Sequence, residues 1–283
     1  MAPRCSAQHL LLLALVAALA DAFDTWTFLI PCRGVVLLAG PVVPTEGIVF
    51  HVANRCPFPV WPASAPNTGH PVLADGGFFL APGKARRVAA PATWNGRFWA
   101  RTGCNFTTAN GAGCLTGDCE GRLACNGSIG SPPATLVEVS LHEDASKGSS
   151  YDVSLVDGYN LPVAVSTKPA AAGGSNKCAI AGCAKDVNAV CPPELQVTSA
   201  VAGKTTVVAC KSACLAFGLD AFCCRGNVYS RVFKDACPAY YSYAYDTTAA
   251  TATGCYAQEY VITFCPNRWG AAEEEEADRA AQI

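Results

Sequence analysis

The chain has 283 residues, of which 51% are hydrophobic, 15% are charged and 17 are cysteine, and its formal net charge is −2. This apolar content excludes an intrinsically disordered chain, and the composition excludes a coiled coil or helical repeat, which needs Glu, Lys, Leu and Met in quantity. The charge balance gives no basic surface for nucleic acid. Seventeen cysteines indicate either disulfides or a metal site, and the redox compartment decides between them.

The first 22 residues have the features of a secretory signal peptide. Arg4 supplies the positive charge, residues 10–20 form an apolar run, and the motif Ala20-Asp21-Ala22 fits the small-residue cleavage rule. The run is too short to span a bilayer, and no other segment predicts a membrane span. We therefore expect a secreted, extracellular protein whose cysteines form disulfides, with no metal and no cofactor.

Two Asn-x-Ser/Thr triplets, at Asn105 and Asn126, predict N-glycosylation. This modification is found on chains that enter the secretory pathway, so it agrees with the predicted signal peptide. We expect a glycoprotein with its glycans at these two positions.

After the signal peptide, the sequence patterns divide the chain into successive structural segments. Turn signals recur every 8 to 12 residues or so from residue 47, which is typical of an all-β sandwich or barrel. Strand patterns occur at 47–56, 97–101, 136–141, 151–155 and 259–265, and the clearest helical pattern is at 210–222. We predict an atypical lead-in at 23–46, a β body with a first disulfide loop at 47–176, a cysteine-rich lobe at 177–255, a closing strand at 256–266 and an acidic tail at 267–283.

Cysteine parity predicts an odd cysteine in the body and lobe. Cys5 leaves with the signal peptide, and fifteen cysteines lie from Cys56 to Cys265. Since fifteen cannot all pair with one another, either Cys32 pairs with the odd one or a thiol stays free. The spacing does not decide the connectivity, and it fits no zinc-ligand pattern.

Ordered blocks of the sequence resemble the thaumatin-like (osmotin-like) family of plant pathogenesis-related proteins. The blocks include CLTGDC at 114–119, GRFWARTGC at 96–104, YDVSLVDGYN at 151–160 and FCP at 264–266, and the resemblance covers roughly residues 47–266. It implies a mainly β fold, in which a flattened antiparallel β-sandwich carries a disulfide-rich lobe with a helix and a small disulfide loop. It also implies an acidic cleft between the body and the large lobe.

The resemblance implies five residues for this cleft, one arginine and four acids. The matching positions are Arg97, Glu138, Asp152, Asp157 and Asp246. Acids that are brought together repel, which raises at least one pKa, whereas an arginine among them lowers it. The residues alone leave a second interpretation open, in which these groups form a structural salt-bridge network between the lobes.

A site for sugars also needs aromatic faces for the apolar sides of the ring. Three aromatic residues near the matching motifs are candidates for this stacking, namely Phe106, Tyr151 and Tyr159. Asp118, in the CLTGDC block, is better explained as a residue that caps a turn.

The function that the resemblance implies is antifungal defence by a secreted monomer. Its partner would be β-1,3-glucan or a related fungal-wall component, bound in the acidic cleft, and its location the apoplast, or the vacuole because of the C-terminal extension. One alternative is a weak endo-β-1,3-glucanase, since glycoside hydrolysis needs two carboxyl groups at a defined separation, and Glu138 with an aspartate such as Asp157 could supply them. Another is an inhibitor of a foreign hydrolase that acts through surface loops.

The resemblance also implies a disulfide pairing and a departure from it. The implied bonds are Cys56–Cys265, Cys104–Cys114, Cys119–Cys125, Cys178–Cys255, Cys183–Cys237, Cys191–Cys210 and Cys214–Cys223. Members usually have about a dozen more residues after the adjacent cysteine pair, including the partner of the second cysteine. That cysteine is Cys224 here, so we expect it to be a free thiol or to pair with Cys32.

Overall fold

The computed structural model describes residues 47–107, 113–141, 147–169, 178–201 and 203–266. The predicted signal peptide, the lead-in with Cys32 and the acidic tail lie outside the described residues. The strands are β1 Ile48–Asn54, β2 Trp61–Pro66, β3 Ala85–Ala90, β4 Asn95–Arg101, β5 Leu136–Ser140, β6 Ser149–Ser154, β7 Val163–Pro169, β8 Ala181–Gly182, β9 Gln196–Val201, β10 Lys204–Cys210, β11 Ala252–Cys255 and β12 Ala257–Phe264. The helices are α1 Ala213–Phe217, α2 Asp220–Cys223 and α3 Val228–Ala236.

Two five-stranded sheets form the body, in agreement with the predicted mainly β fold. The first sheet has the order β3-β1-β12-β7-β8 and the second β11-β6-β5-β4-β2, while β9 and β10 form a separate antiparallel pair. Strands β1 and β12 run parallel, and the other paired strands of both sheets run antiparallel. The sandwich predicted as antiparallel therefore contains one parallel pair among its described strands.

The core lies between the two sheets and is built around aromatic rings. Phe50 of β1 has its ring centre 4.8 Å from that of Phe98 on β4 and 5.5 Å from that of Tyr260 on β12. Trp94, just before β4, packs edge-on against Phe50. All four rings are buried. Side chains alternate between the two faces of a strand, so a residue next to a core residue on β4 points to the outer face of the second sheet.

The helical part of the lobe differs from the prediction. The helix predicted at 210–222 is wrong as one element, because Cys210 ends β10 and Gly218, at φ 65°, ends α1 in the left-handed conformation that favours glycine. A second short helix, α2, follows, and the longest helix of the described chain is α3. Asn227 starts α3, since its side chain accepts hydrogen bonds from the backbone of Tyr229 and Ser230.

The region predicted as a separate lobe also supplies strands to the body. Strand β8 pairs with β7 in the first sheet, and β11 pairs with β6 in the second. Segment 177–255 therefore contributes to both sheets as well as to the helical part.

The structure contains all seven disulfides that the resemblance implied. Cys224, at the end of α2, is half-buried and has no disulfide partner among the described residues. Cys32 lies outside those residues, so the choice between a free thiol and a Cys32 bond stays a prediction.

Candidate functional site

Three charged side chains lie in one row across the outer face of the second sheet. The strand register pairs Arg97 on β4 with Glu138 on β5, and Glu138 with Asp152 on β6. Their sequence neighbours Phe98 and Val153 are buried in the core, as the alternation of strand side chains requires. We call Arg97, Glu138 and Asp152 the charged row.

Both acids of the charged row have raised pKa values. Burial, together with the neighbouring charge of Glu138, raises the pKa of Asp152 to about 7. Burial also raises the pKa of Glu138, against the opposing charge of Arg97, whose Nη2 lies 4.0 Å from Glu138 Oε1. Asp152 Oδ1 is buried with no hydrogen-bond partner in the described chain, so no hydrogen bond at that oxygen stabilises the ionised form. With a pKa of about 7, Asp152 is partly protonated near neutral pH, and its protonated carboxyl group can donate a hydrogen bond.

Asp157 contributes to the electrostatics of the charged row, whereas Asp246 belongs to a separate network. Asp157 is exposed in the turn after β6, and its charge adds to the raised pKa of Glu138. Asp246 is buried, and its carboxylate accepts hydrogen bonds from Lys234 Nζ at 2.8 Å and Thr248 Oγ1 at 2.7 Å. Burial raises the pKa of Asp246, but the bonds from Lys234, Thr248 and Ser242 outweigh it and lower the pKa to about 2. Lys234 and Asp246 both belong to the segment predicted as the cysteine-rich lobe, so this ion pair lies within that segment.

The prediction that Tyr151 and Tyr159 stack on a sugar is wrong, because both rings are buried. Tyr151 packs edge-on against Tyr260 in the core, and its hydroxyl donates to the Ala179 carbonyl at 2.6 Å. It precedes Asp152 on β6, so the alternation that turns Asp152 outward turns Tyr151 inward. Tyr159 is 0% exposed, and no sugar ring can reach its face in this arrangement.

Phe106 is half-buried and lies against two neighbours near the end of β4. Its ring centre is 6.5 Å from that of Trp61 and 5.6 Å from the guanidinium carbon of Arg101. Arg101 lies four residues along β4 from Arg97 of the charged row. The described contacts of Phe106 are thus at the other end of the strand from the row.

The sequence did not predict that Arg101 is buried. Its Nε donates to the Trp61 carbonyl at 3.0 Å, Nη1 to Arg122 at 2.7 Å and Nη2 to Leu123 at 2.9 Å. Burial lowers its pKa to about 10, so it stays charged at neutral pH. Side-chain alternation along β4 places Arg101 on the same face of the sheet as Arg97. The small disulfide loop then folds over Arg101 and buries it, a contact that the sequence pattern does not reveal.

The predicted turn-capping role of Asp118 is confirmed. Its Oδ1 accepts a hydrogen bond from the backbone of Cys114 at 2.9 Å, and its Oδ2 accepts one from Gly121 at 2.7 Å. The carboxylate therefore fixes the loop between the Cys104–Cys114 and Cys119–Cys125 disulfides.

Two cavities lie away from the charged row. One, of about 610 Å³, is lined by residues that include Cys183, Lys185 and Thr248. The other, of about 560 Å³, is lined by residues that include Trp61 and Asn188. The described chain has no group of three His, Cys, Asp or Glu side chains that could hold a metal ion. No helix within the described ranges is long and apolar enough to cross a membrane.

Comparison with known proteins finds a family match and several sequence relatives. Residues 54–266 match the Thaumatin family. The chain is 50% identical over 227 residues to pathogenesis-related protein 5 of Arabidopsis thaliana, a match that covers 77% of this chain and 90% of the relative. It is 44% identical over 229 residues to pathogenesis-related thaumatin-like protein 3.5 of Cryptomeria japonica, with the same coverage of 77% and 90%. The solved structure of the thaumatin-like xylanase inhibitor TLXI aligns at 22% identity and a TM-score of 0.39, over 77% of this chain and 99% of that one.

Proposed function

This chain belongs to the thaumatin family, and on that premise we propose that it is a secreted antifungal defence protein that binds β-1,3-glucan, or a related fungal-wall polysaccharide, at the charged row. The observation that carries the proposal is the in-register row itself, with an arginine and two acids of raised pKa on one outer sheet face. Seven disulfides support secretion, because such bonds persist in oxidising compartments.

The chemistry of the row suits a neutral sugar. A sugar hydroxyl both donates and accepts hydrogen bonds, and the row offers donors on Arg97 and on protonated Asp152 beside acceptors on Glu138. Glu138 is 43% exposed at its side chain and Arg97 31%, so both can reach a ligand on the sheet face. Hydrogen bonds to charged groups contribute about 1.5–3 kcal/mol each. A few such contacts would be enough for a moderate affinity.

The test is binding of a soluble linear β-1,3-glucan to the purified secreted protein by calorimetry. We expect Glu138→Gln to weaken binding about tenfold or more, since a neutral amide replaces the charged acceptor. Glu194→Gln is the matched control, because Glu194 is exposed and its described partner, Tyr229, lies in the helical part. Equal affinities of Glu138→Gln and wild type would contradict the assignment of the row.

Weak endo-β-1,3-glucanase activity is the second candidate, and the raised pKa of Asp152 favours it. A glycosidase needs one carboxyl group that is protonated and one that is ionised, and environments that push two pKa values apart supply that pair. Asp152, whose pKa is raised to about 7, lies opposite Glu138 on the neighbouring strand, so we infer this pair in preference to Glu138 with Asp157. Release of reducing sugar from β-1,3-glucan that disappears in Glu138→Gln and in Asp152→Asn would establish the enzyme. Binding without turnover would exclude it.

A further inference from the structure

A groove with exposed aromatic walls lies outside the charged row. It has a volume of about 560 Å³. We call it the aromatic groove, and its lining residues that matter here are Phe58, Trp61, Leu115, Thr102, Gly103 and Asp186. Phe58 is 43% exposed and Leu115 47% exposed. Exposed apolar surface concentrated in one concave place indicates a binding site.

Two further rings extend the apolar surface of the groove. The ring centre of Trp61 is 5.5 Å from that of Phe79, which is 53% exposed, and 6.5 Å from that of Phe106. Both contacts are edge-to-face. Trp61 therefore stands at the centre of a chain of three rings that joins the groove to the surface beside it.

One rim of the groove is a short hairpin that carries a glycosylation sequon. Thr102 bridges Thr116, Asn105 bridges Gly113, and the Cys104–Cys114 disulfide ties the two arms. Asn105 lies only two residues beyond Gly103 of the groove lining, about 7 Å at strand spacing. The disulfide and the two bridges hold Asn105 at this position beside the groove.

The side chain of Asn105 is arranged so that its attachment atom is available. Asn105 is exposed, and its Oδ1 accepts hydrogen bonds from Thr107 N at 3.0 Å and from Thr107 Oγ1 at 2.7 Å. Among the described residues, Nδ2 makes no hydrogen bond. Nδ2 is the atom to which an N-linked glycan is joined.

We propose that an N-linked glycan on Asn105 occupies the aromatic groove, with the apolar face of its first sugars on Trp61. In the transfer step, Asn105 Nδ2 attacks C1 of the first N-acetylglucosamine of a polyprenyl-diphosphate-linked oligosaccharide of the secretory pathway. The N–C1 bond forms, the bond from C1 to the diphosphate oxygen breaks, the amide nitrogen gives up one proton to solvent, and polyprenyl diphosphate leaves.

The groove offers both kinds of contact that a sugar needs. The rings and Leu115 suit the apolar face, and the exposed side chain of Asp186, also in the groove lining, can accept a hydrogen bond from a sugar hydroxyl. A tethered glycan fills the groove with little loss of entropy on docking, because its attachment already holds it nearby. We therefore assign the groove to the chain's own glycan and not to a free ligand.

The experiment uses the full chain secreted from a eukaryotic host. Peptide mass spectrometry measures glycan occupancy at Asn105, and hydroxyl-radical labelling measures the accessibility of Trp61 and Phe79. We expect Asn105 to be occupied and both rings to be labelled at least twofold more strongly in Asn105→Gln. We also expect the Tm to fall by about 2–4 °C, the shift for one lost contact of this kind in a domain of this size.

Two variants serve as controls. Asn126→Gln removes the other sequon and should leave labelling of Trp61 and Phe79 unchanged. In Trp61→Ala, the further change Asn105→Gln should no longer lower the Tm, because the stacking partner is already missing. An unmodified Asn105 in the secreted protein overturns the proposal, and so does a modified Asn105 with Trp61 and Phe79 labelled as strongly as in Asn105→Gln.

Discussion

Asp152 makes the folded state less stable as the pH rises from about 4 to about 7. Its pKa is about 7 in the fold against an ordinary value of 3.8, so the unfolded chain loses this proton first. Asp152→Asn should therefore stabilise the protein by an amount that is near zero at pH 4 and grows to at most about 4 kcal/mol above pH 7, at about 1.4 kcal/mol per pKa unit. Thermal unfolding from pH 4 to 8 measures it.

The control for Asp152→Asn is Asp235→Asn, which removes the same charge from an exposed position on α3. It should change the free energy of unfolding by less than about 0.5 kcal/mol across the range. If Asp152→Asn raises the free energy of unfolding as much at pH 4 as at pH 8, the stabilisation does not come from proton linkage.

Substitution of Arg101 should cause a large loss of stability. Its guanidinium donates to three backbone carbonyls and is fully buried. Arg101→Met keeps much of the volume but leaves those carbonyls unpaired, which should cost about 2–4 kcal/mol. Arg97→Met on the same strand, with a 31% exposed side chain, should cost less than about 1 kcal/mol. Urea unfolding compares the two, and equal losses would refute the role of burial.

Among the elements, α3 depends on its N-terminal cap. The chain is short between the Cys214–Cys223 bond and α3, and Asn227 with Ser230 forms a reciprocal pair of cap hydrogen bonds there. Asn227→Ala should destabilise the protein by about 1 kcal/mol. Val228→Ala at the next position, where the side chain is 72% exposed, should have almost no effect. Chemical denaturation midpoints distinguish the two, and a loss no larger for Asn227→Ala than for Val228→Ala would contradict the cap.

Strands with strong apolar alternation were predictable, and those without it were not. Strands β1, β5 and β12 follow from their sequence patterns, whereas β3 was missed because ARRVAA has one large apolar residue and exposes four of its six side chains. The helix predicted at 210–222 failed because the pattern does not reveal that Cys210 belongs to a strand and that Gly218 is a helix stop. Helix α3 was missed because its core contacts fall on few residues, mainly Phe233 and Ala236.

The charged row was predictable only through the resemblance, since register is a property of paired strands. Alternation places Glu138 and Asp152 outward, but the sequence does not say that β5 and β6 align them. The same alternation could have excluded Tyr151 from the site, because it precedes Asp152 on one strand. The burial of Arg101 depends on the loop that covers it, a contact between parts of the chain about twenty residues apart.

For the whole molecule, the Cys56–Cys265 bond should contribute more stability than any short bond. Parallel strands end at the same edge, so the cysteines after β1 and β12 meet there with Cα atoms 4.9 Å apart. This bond joins residues 209 apart, which corresponds to about 5.4 kcal/mol of loop entropy, and Cys214–Cys223 joins residues 9 apart, which corresponds to about 2.6 kcal/mol. The other disulfides already shorten the longer loop in the unfolded chain, so about 3 kcal/mol is the largest difference expected. Guanidinium unfolding of Cys56→Ala/Cys265→Ala and Cys214→Ala/Cys223→Ala measures it, and a greater loss for the second pair would reject the argument.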